Sequence, residues 1–240
     1  MRKNLLVKNT KKCGVTSFFK YEELYLFLLI CVLNSNGQSL RFNGSNNYVS
    51  LTNAASLRLT SFTLEAWIKV EGTGGTSNTG AGGVTAVPIL TRGRGESDAP
   101  SNVNMNYFFG IDQNKKVTAD FEESSGANHP VLSKTSIQDN TWTHVAVTYE
   151  PAAAVWRLYI NGILETTKDV GSNIMPASIS IQPAAIGTAL NSGSVPQGYF
   201  KGKIDEVRIW NIRKTDSAIR KDYKAELTSA KGLIARYGPK

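Results

Sequence analysis

Two adjacent carboxylates, Asp205 and Glu206, are the first candidates for chemistry in this sequence, and they lie in the apolar stretch GKIDEVRIWN. Two carboxyl groups about 5–5.5 Å apart on either side of a glycosidic bond could act as acid and nucleophile. Consecutive residues of a regular strand, however, point to opposite faces of the sheet. We therefore predict that Asp205 points inwards, on the face that carries Val207 and Ile209. Glu206 is then an outward surface charge, and the two carboxylates are not a catalytic pair.

The remaining acids and bases also give no catalytic arrangement. Asp120 and Glu122 have the spacing that places two carboxylates on one face of a strand, but Glu122 leads into the turn-like segment EESSG. His129 lies in a polar loop and His144 in a strand-like segment. No G-x-S-x-G or H-E-x-x-H motif occurs in the chain. We predict no catalytic residue and no enzymatic activity.

Ligand contact is expected on the polar loops, where binding residues concentrate in rigid folds. The candidates are Tyr107, which follows the Asn-rich segment Ser101–Asn106, together with His129 and Asn191. The sequence does not identify the ligand, which we expect to be a glycan or an extracellular protein.

Period-two alternation of apolar and polar residues dominates the chain from residue 39 and is typical of half-buried strands. It is clearest in Phe62–Val70, Trp142–Glu150 and Trp156–Glu165. The last segment contains Asn161-Gly162, a pair that favours a type I′ turn, so we predict a hairpin there.

Other short segments complete the predicted fold, which is all-β, a two-sheet antiparallel jelly-roll sandwich with one short C-terminal helix. The helix is predicted over Thr215–Tyr223, with Thr215 or Asp216 as its N-cap. The Gly/Thr/Ser-rich segment Glu71–Ala86 lacks a GK[ST] motif, and both it and the polar segment Gly95–Asn106 are predicted to be loops. Further strands are predicted at Leu40–Phe42, Tyr48–Leu51, Val87–Thr91, Tyr107–Ile111, Lys116–Glu122, Ser178–Ile181, Ala185–Thr188 and Phe200–Trp210.

The formal net charge of +8 in 240 residues is concentrated at the two ends of the chain. Residues 38–210 are close to neutral, whereas a nucleic-acid-binding protein carries a basic stripe on its folded body. We therefore exclude nucleic acid as a partner.

Residues 1–37 have the pattern of a signal peptide or N-terminal leader: a basic start, the apolar run Leu24–Leu33, and small polar residues after it. The run is too short to cross a bilayer, so we predict a secreted or cell-surface protein with no transmembrane span in the mature chain. Both cysteines, Cys13 and Cys31, lie in this leader, which leaves the mature chain without disulfides or thiolate ligands. The domain is predicted at 38–226, and 227–240 is a tail or the start of a truncated segment.

Six blocks of the sequence are informative together: Ser39–Leu51, Ser61–Val70, Trp142–Glu150, Arg157–Leu164, Ala184–Ala189 and Gly198–Tyr223. Their order resembles the LamG-like jellyroll domain, the laminin-G-like branch of the concanavalin A-like lectin/glucanase superfamily. This resemblance covers about residues 39–224. It implies a concave face and loop rims that contact glycans or protein partners, and it implies frequent binding of one calcium ion.

Calcium (Ca2+) is the one cofactor that the resemblance suggests. The sequence agrees with it, because the turn Phe42–Tyr48 is rich in oxygen atoms that can coordinate a metal ion. Related sequences often carry Asp at the Asn43 position. An inward carboxylate at Asp205 needs a cation, an arginine or backbone N–H donors. We expect either that Asn43 and Asp205 hold calcium with a backbone carbonyl, or that Asp205 accepts hydrogen bonds from the turn without a metal.

These observations favour a secreted, non-catalytic module that recognises carbohydrate or a surface partner. The first alternative is a structural or adhesion module of a larger surface protein that binds no glycan. The second is a domain related to glycoside hydrolases, although the E-x-D-x-x-E pattern of the jelly-roll glucanases is missing from the sequence.

Overall fold

A computed structural model describes residues 39–97 and 102–238, so the predicted leader lies outside the described residues. The described part consists mainly of strands, with one α-helix, α1 (Asp216–Asp222), and short 3-10 turns at Ala55–Leu57 and Pro151–Ala153. No helix in these ranges is long and apolar enough to cross a membrane. The strands in chain order are β1 (Leu40–Asn43), β2 (Val49–Thr52), β3 (Phe62–Val70), β4 (Ser77–Asn78), β5 (Thr85–Arg92), β6 (Tyr107–Ile111), β7 (Lys116–Asp120), β8 (Val131–Ser136), β9 (Thr143–Glu150), β10 (Val155–Ile160), β11 (Ile163–Asp169), β12 (Ala184–Ile186), β13 (Ala189–Leu190), β14 (Pro196–Gln197), β15 (Lys201–Trp210) and β16 (Leu233–Tyr237).

Two antiparallel sheets form the sandwich, and this confirms the predicted fold class. Sheet I has the order β1-β15-β3-β9-β10-β11, and β16 also pairs with β15. Sheet II has the order β2-β12-β5-β6-β7-β8, and β4 also pairs with β5. The short strands β13 and β14 form a separate hairpin.

The core lies between the two sheets and follows from the alternation seen in the sequence. In β3, Leu64 and Ile68 are fully buried in the core, and Glu65 takes the opposite face of the strand. A cluster of aromatic side chains fills one part of the core. The ring centroids of Phe62 and Trp156 are 5.6 Å apart, and those of Tyr149 and Trp156 are 5.2 Å apart. Each fully buried side chain of this kind stabilises the fold by about 1.5–3 kcal/mol.

The predicted hairpin is confirmed, since β10 and β11 pair across Asn161-Gly162. Both residues have positive φ angles, 50° and 74°, as a type I′ turn requires. A Cβ atom on Gly162 would lie 2.7 Å from the ring of Tyr223, so a larger residue there would also collide with the chain beyond α1.

Helix α1 is also confirmed and covers the outer face of sheet I. Thr215 caps it, because its hydroxyl accepts a hydrogen bond from the Ala218 N–H at 3.2 Å. Ile219 is the buried residue of this helix, and it forms a small apolar cluster with Ala146 and Tyr159.

A buried charged cluster lies on the same outer face, around Glu65. The Glu65 carboxylate accepts hydrogen bonds from Trp210 Nε1 at 2.7 Å and Lys214 Nζ at 3.3 Å, and it lies 3.2 Å from His144 Nε2. Burial raises the pKa of Glu65, but the hydrogen bond from His144 and the charges of Lys214, His144 and Arg208 outweigh it and lower the pKa to about 2. His144 is therefore part of a structural ion network.

Strand β15 is not regular, and this overturns the predicted orientation of Asp205 and Glu206. Its register with β3 shifts between Asp205 and Arg208, and Glu206 has a φ of 47°, so the strand bulges there. Both carboxylates approach Gly238: a Cβ atom on that glycine would lie 3.1 Å from Asp205 Oδ1 and 2.8 Å from Glu206 Oε1. The bulge removes the alternation on which the prediction of opposite faces rested.

Glu206 is consequently not the outward surface charge that the sequence predicted. It accepts hydrogen bonds from Arg208 Nη2 at 2.9 Å and Arg236 Nε at 3.1 Å. Its side chain keeps only 16% exposure. The two arginines lower the pKa of Glu206 against the opposing effect of burial.

Three other predictions need correction. Ser178–Ile181 is not a strand, since the Ser180 N–H donates to the Ala177 carbonyl in a turn. Val131–Ser136 forms a strand that the apolar alternation did not predict. Leu233–Tyr237 is β16 of sheet I, so the domain extends beyond the predicted boundary at residue 226.

Candidate ligand-binding site

Tyr107 is not on a loop rim, and this part of the ligand-site prediction is wrong. It is the first residue of β6, it has no exposed surface, and its ring packs 5.7 Å from that of Phe62 in the core. Burial raises the pKa of its phenol well above the ordinary value. Tyr107 shares its face with Phe109 and Ile111, so the strand period could have placed it inside.

His129 lies between β7 and β8 with a partly buried ring. The ring packs against Phe121 with centroids 4.9 Å apart, and its Nε2 lies 3.9 Å from Glu123. The backbone of His129 donates to Asp120 and accepts from Trp156. Burial lowers the pKa of the imidazole, and the nearby Glu123 carboxylate opposes this effect.

Asn191 lies in the turn between β13 and β14. Its side-chain oxygen accepts a hydrogen bond from the Val195 N–H at 2.8 Å and shapes the turn. Tyr107, His129 and Asn191 thus lie on three separate elements, and the three predicted ligand residues do not define one site.

Asn43 and Asp205 are not brought together as the calcium hypothesis requires. In the pairing of β1 with β15, Asn43 lies opposite Lys201, which is four residues before Asp205. The β1 residue nearest to Asp205 is Leu40, which lies opposite Ile204 at the other end of β1. The Asn43 side-chain oxygen accepts from the N–H groups of its own turn at 3.0–3.2 Å.

The Asp205 carboxylate accepts a hydrogen bond from the N–H group of its neighbour Glu206 at 2.8 Å. Neither the proposed ligand pair nor the alternative contact from the Phe42–Tyr48 turn to Asp205 fits this geometry. Within residues 39–97 and 102–238, no three His, Cys, Asp or Glu side chains cluster as a metal site would require. Calcium binding stays a prediction.

Asp120 and Glu122 lie beneath the loop that contains β4 and are both buried. Asp120 accepts from the Thr79 hydroxyl at 2.6 Å and from the His129 N–H at 2.9 Å, and Glu122 accepts from the Met105 N–H. Burial raises the pKa of Asp120 to about 7, a value that suits a general acid. Because Asp120 has no exposed surface, a substrate cannot reach it in this conformation.

An open groove of about 730 Å³ lies over the outer face of β7 and β8. Thr118 of β7 lies on the outer face between two core residues but is fully buried, and its hydroxyl donates to the Val131 carbonyl at 2.8 Å. Leu132, its partner on β8, is 41% exposed. Because five threonines surround it, we call it the threonine groove. Its lining residues are Thr76, Val84, Thr85, Asp112, Gln113, Thr118, Pro130, Val131, Leu132, Thr166, Thr167 and Lys168.

One wall of the threonine groove comes from β11 and is fixed to the floor by hydrogen bonds between the two sheets. The Thr166 hydroxyl donates to the Leu132 carbonyl at 3.0 Å, and Lys168 Nζ donates to the Pro130 carbonyl at 2.6 Å. These contacts join the edge strands of the two sheets, so the groove is formed without a ligand.

The turn between β6 and β7 forms one rim of the groove. Asp112 accepts from the N–H groups of Asn114 and Lys116, both at 2.8 Å, which fixes the turn. Gln113 is exposed at this rim. A smaller pocket of about 120 Å³ shares Thr76, Asp112 and Gln113 with the groove and continues towards Lys201.

The threonine groove was not foreseen because its residues come from four distant parts of the chain. No short motif connects Thr85, Gln113, Leu132 and Lys168. Their approach depends on the pairing of β5 to β8 and on the contact of β8 with β11, which single-strand patterns do not reveal.

Comparison with known proteins gives one family and a consistent fold. A laminin G-type family model, described as the concanavalin A-like lectin/glucanases superfamily, matches residues 43–220. Mouse Pappalysin-1 is 24% identical over 195 residues, a match that covers 77% of this chain and 11% of Pappalysin-1. This chain therefore corresponds to a small part of that relative.

Solved structures share the same architecture. A candidate carbohydrate-binding protein from Bacteroides ovatus has a TM-score of 0.59 and 20% identity, covering 82% of this chain and 50% of its own. The CBM40 of the Ruminococcus gnavus IT-sialidase has a TM-score of 0.59 and 16% identity, covering 77% and 95%. A SAP-like pentraxin from Limulus polyphemus has a TM-score of 0.55 and 13% identity, covering 84% and 91%. At such identities the likeness is one of fold.

Proposed function

The chain belongs to the laminin G-like branch of the concanavalin A-like lectin/glucanase superfamily, and from this membership we propose that it is a non-catalytic module that binds carbohydrate in the threonine groove. The groove itself is the observation that carries the proposal. Its volume of about 730 Å³ lies within the range of roughly 300–1,000 Å³ that is usual for small-molecule sites.

The lining of the groove matches the chemistry of a sugar. The exposed hydroxyls of Thr76 and Thr167 and the Gln113 amide can donate and accept hydrogen bonds with sugar hydroxyls. The Asp112 carboxylate can accept them. Leu132 and Pro130 offer an apolar surface for the C–H face of a pyranose ring. The adjoining pocket shares three residues with the groove, so an oligosaccharide fits the site better than a single sugar.

Binding without hydrolysis is favoured by the carboxylates of this region. Asp112 is the single acidic residue among those that line the groove, whereas glycoside hydrolysis generally uses a pair. Asp120 and Glu122 are buried elsewhere on sheet II and engaged by protein donors.

Solved structures support carbohydrate as the ligand class. The Ruminococcus gnavus CBM40 that shares this fold is known bound to α2,3 sialyllactose. A secreted or cell-surface location is part of the proposal and rests on the leader-like pattern of residues 1–37.

A glycan array tests the proposal with the full-length chain and two groove variants, Gln113→Ala and Lys168→Ala. Both side chains are exposed, so the substitutions leave the core intact. Gln113→Ala removes a lining amide, whereas Lys168→Ala also removes the hydrogen bond to the Pro130 carbonyl that holds the wall of the groove. Matched controls are Asn114→Ala and Lys134→Ala, exposed neighbours that do not line the groove.

We expect glycan binding that weakens at least about tenfold in the groove variants and is retained in the controls. Binding that is equal in all five proteins would place the glycan elsewhere. An array without any bound glycan would favour the structural or adhesion module instead.

A further inference from the structure

Arg92 is a buried cation whose charge is not offset by a carboxylate of the described residues. It is the last residue of β5 and has no exposed surface. Burial lowers its pKa, the nearby Tyr107 raises it, and the positive charge of Arg58 lowers it. The guanidinium nevertheless stays protonated at neutral pH. Arg208, which is also buried, differs because Glu206 lies 2.9 Å from its Nη2.

The guanidinium of Arg92 is only partly hydrogen-bonded. Its Nη2 donates to the side chain of Asn53 and to the Ser180 carbonyl. Nε and Nη1 are buried and have no acceptor within the described ranges. These two nitrogens carry three of the five N–H groups of an arginine side chain.

Tyr107 adds another donor at the same place. It lies opposite Arg92 in the pairing of β5 with β6, and its hydroxyl is buried with no partner among the described residues. The end of the sandwich therefore combines an arginine and a phenol whose hydrogens lack an acceptor.

We propose that a small inorganic anion of the size of chloride binds between the Arg92 guanidinium and the Tyr107 hydroxyl. An anion accepts from both residues and offsets the buried positive charge, which a water molecule does not do. A small ion is required because Arg92 and Tyr107 are completely enclosed. Asn53 is exposed and accepts a hydrogen bond from Arg92, so a single side chain separates the guanidinium from solvent at this point.

This site is separate from the threonine groove. Thr85, in the groove lining, begins β5 and Arg92 ends it, which corresponds to about 23 Å along an extended strand. The anion site consequently does not depend on the proposed carbohydrate function.

Crystals of the full-length chain grown or soaked in bromide give a direct test, because bromide scatters anomalously. The expected result is an anomalous peak within hydrogen-bond distance of Arg92 and Tyr107. The proposal is overturned by the absence of a peak there, with a water molecule or no density at the position.

Thermal unfolding in solution distinguishes a true site from an adventitious ion that binds only at crystal concentration. When chloride replaces gluconate at constant ionic strength, the Tm should rise by about 3 °C. Tyr107→Phe, which keeps the ring, should reduce this rise by more than half, whereas the exposed control Tyr48→Phe should keep it. Arg92→Met should abolish the rise, but Tyr107→Phe decides the question where Arg92→Met does not fold. A Tm that is independent of chloride in the unmodified chain contradicts the proposal.

Discussion

Arg236 of β16 holds the carboxylate of Glu206 in β15, with Nε donating to Oε2 at 3.1 Å and Nη2 to Oε1. The contact lies at the bulge of β15, where Glu206 has its positive φ. β16 therefore fixes the irregular part of the strand as well as extending the sheet.

Arg236→Ala should destabilise the domain. Loss of the charged hydrogen bonds should lower the free energy of unfolding by about 1–2 kcal/mol, since Arg208 still contacts Glu206. Urea unfolding measures the change, and the exposed Lys231→Ala, just before β16, is the control. A loss no larger than that of the control would show that the contact adds nothing to stability.

Glu65→Gln should be much more costly, because it removes the fully buried charge that Lys214 and Arg208 share. It leaves each of them with one carboxylate, Asp222 and Glu206 respectively. We expect a loss of about 3–5 kcal/mol in the free energy of unfolding. Glu150→Gln, which removes a partly exposed carboxylate 3.8 Å from Arg213, should cost less than about 1 kcal/mol.

The pKa of Glu65 also predicts an acid dependence. Since folding lowers this pKa from 4.5 to about 2, its contribution is present above pH 4.5 and is lost as the pH falls towards 2. The unmodified chain should lose more stability over this range than Glu65→Gln does.

Asp120 predicts a pH dependence of the opposite sign. Folding raises its pKa from 3.8 to about 7, so the folded state favours the protonated acid. Stability from this residue is complete below pH 3.8 and declines as the pH rises through 7. Asp120→Asn mimics the neutral acid and should remove this decline in unfolding curves recorded from pH 4 to pH 8. An unchanged slope in the variant would mean that Asp120 is ionised throughout.

Calcium binding can be tested by thermal unfolding in EDTA and then in calcium. Because Asp205 does not lie beside Asn43, we expect Asp205→Asn to leave any calcium-dependent rise in Tm unchanged. Loss of that rise in both Asp205→Asn and Asn43→Ala would restore the original ligand pair.

The sequence patterns were most informative where one strand or turn decides the structure. Alternation located β3 exactly as the structure has it, and Asn161-Gly162 located the β10–β11 turn. Helix α1 followed from its cap, Thr215. These features depend on local backbone preferences and one buried face, which neighbouring residues specify directly.

Features that depend on several strands were not predicted. The bulge at Glu206 is stabilised by Arg236, thirty residues later in the chain, and a non-glycine residue with positive φ leaves no mark in the sequence. Tyr107 was misplaced because the polar segment before it outweighed its alternation with Phe109. The groove arises only once β8 and β11 meet at the edge of the sandwich.

β1 and β16 lie along the same edge of β15, and both run antiparallel to it. Tyr237, which ends β16, lies opposite Val207, and Leu40, which begins β1, lies opposite Ile204. The two strands are thus arranged head to tail, with about 10 Å between their facing ends. A circular permutant that joins these ends by a short linker, with new termini opened at Asn161-Gly162, would convert β16 and β1 into one nearly continuous strand along β15.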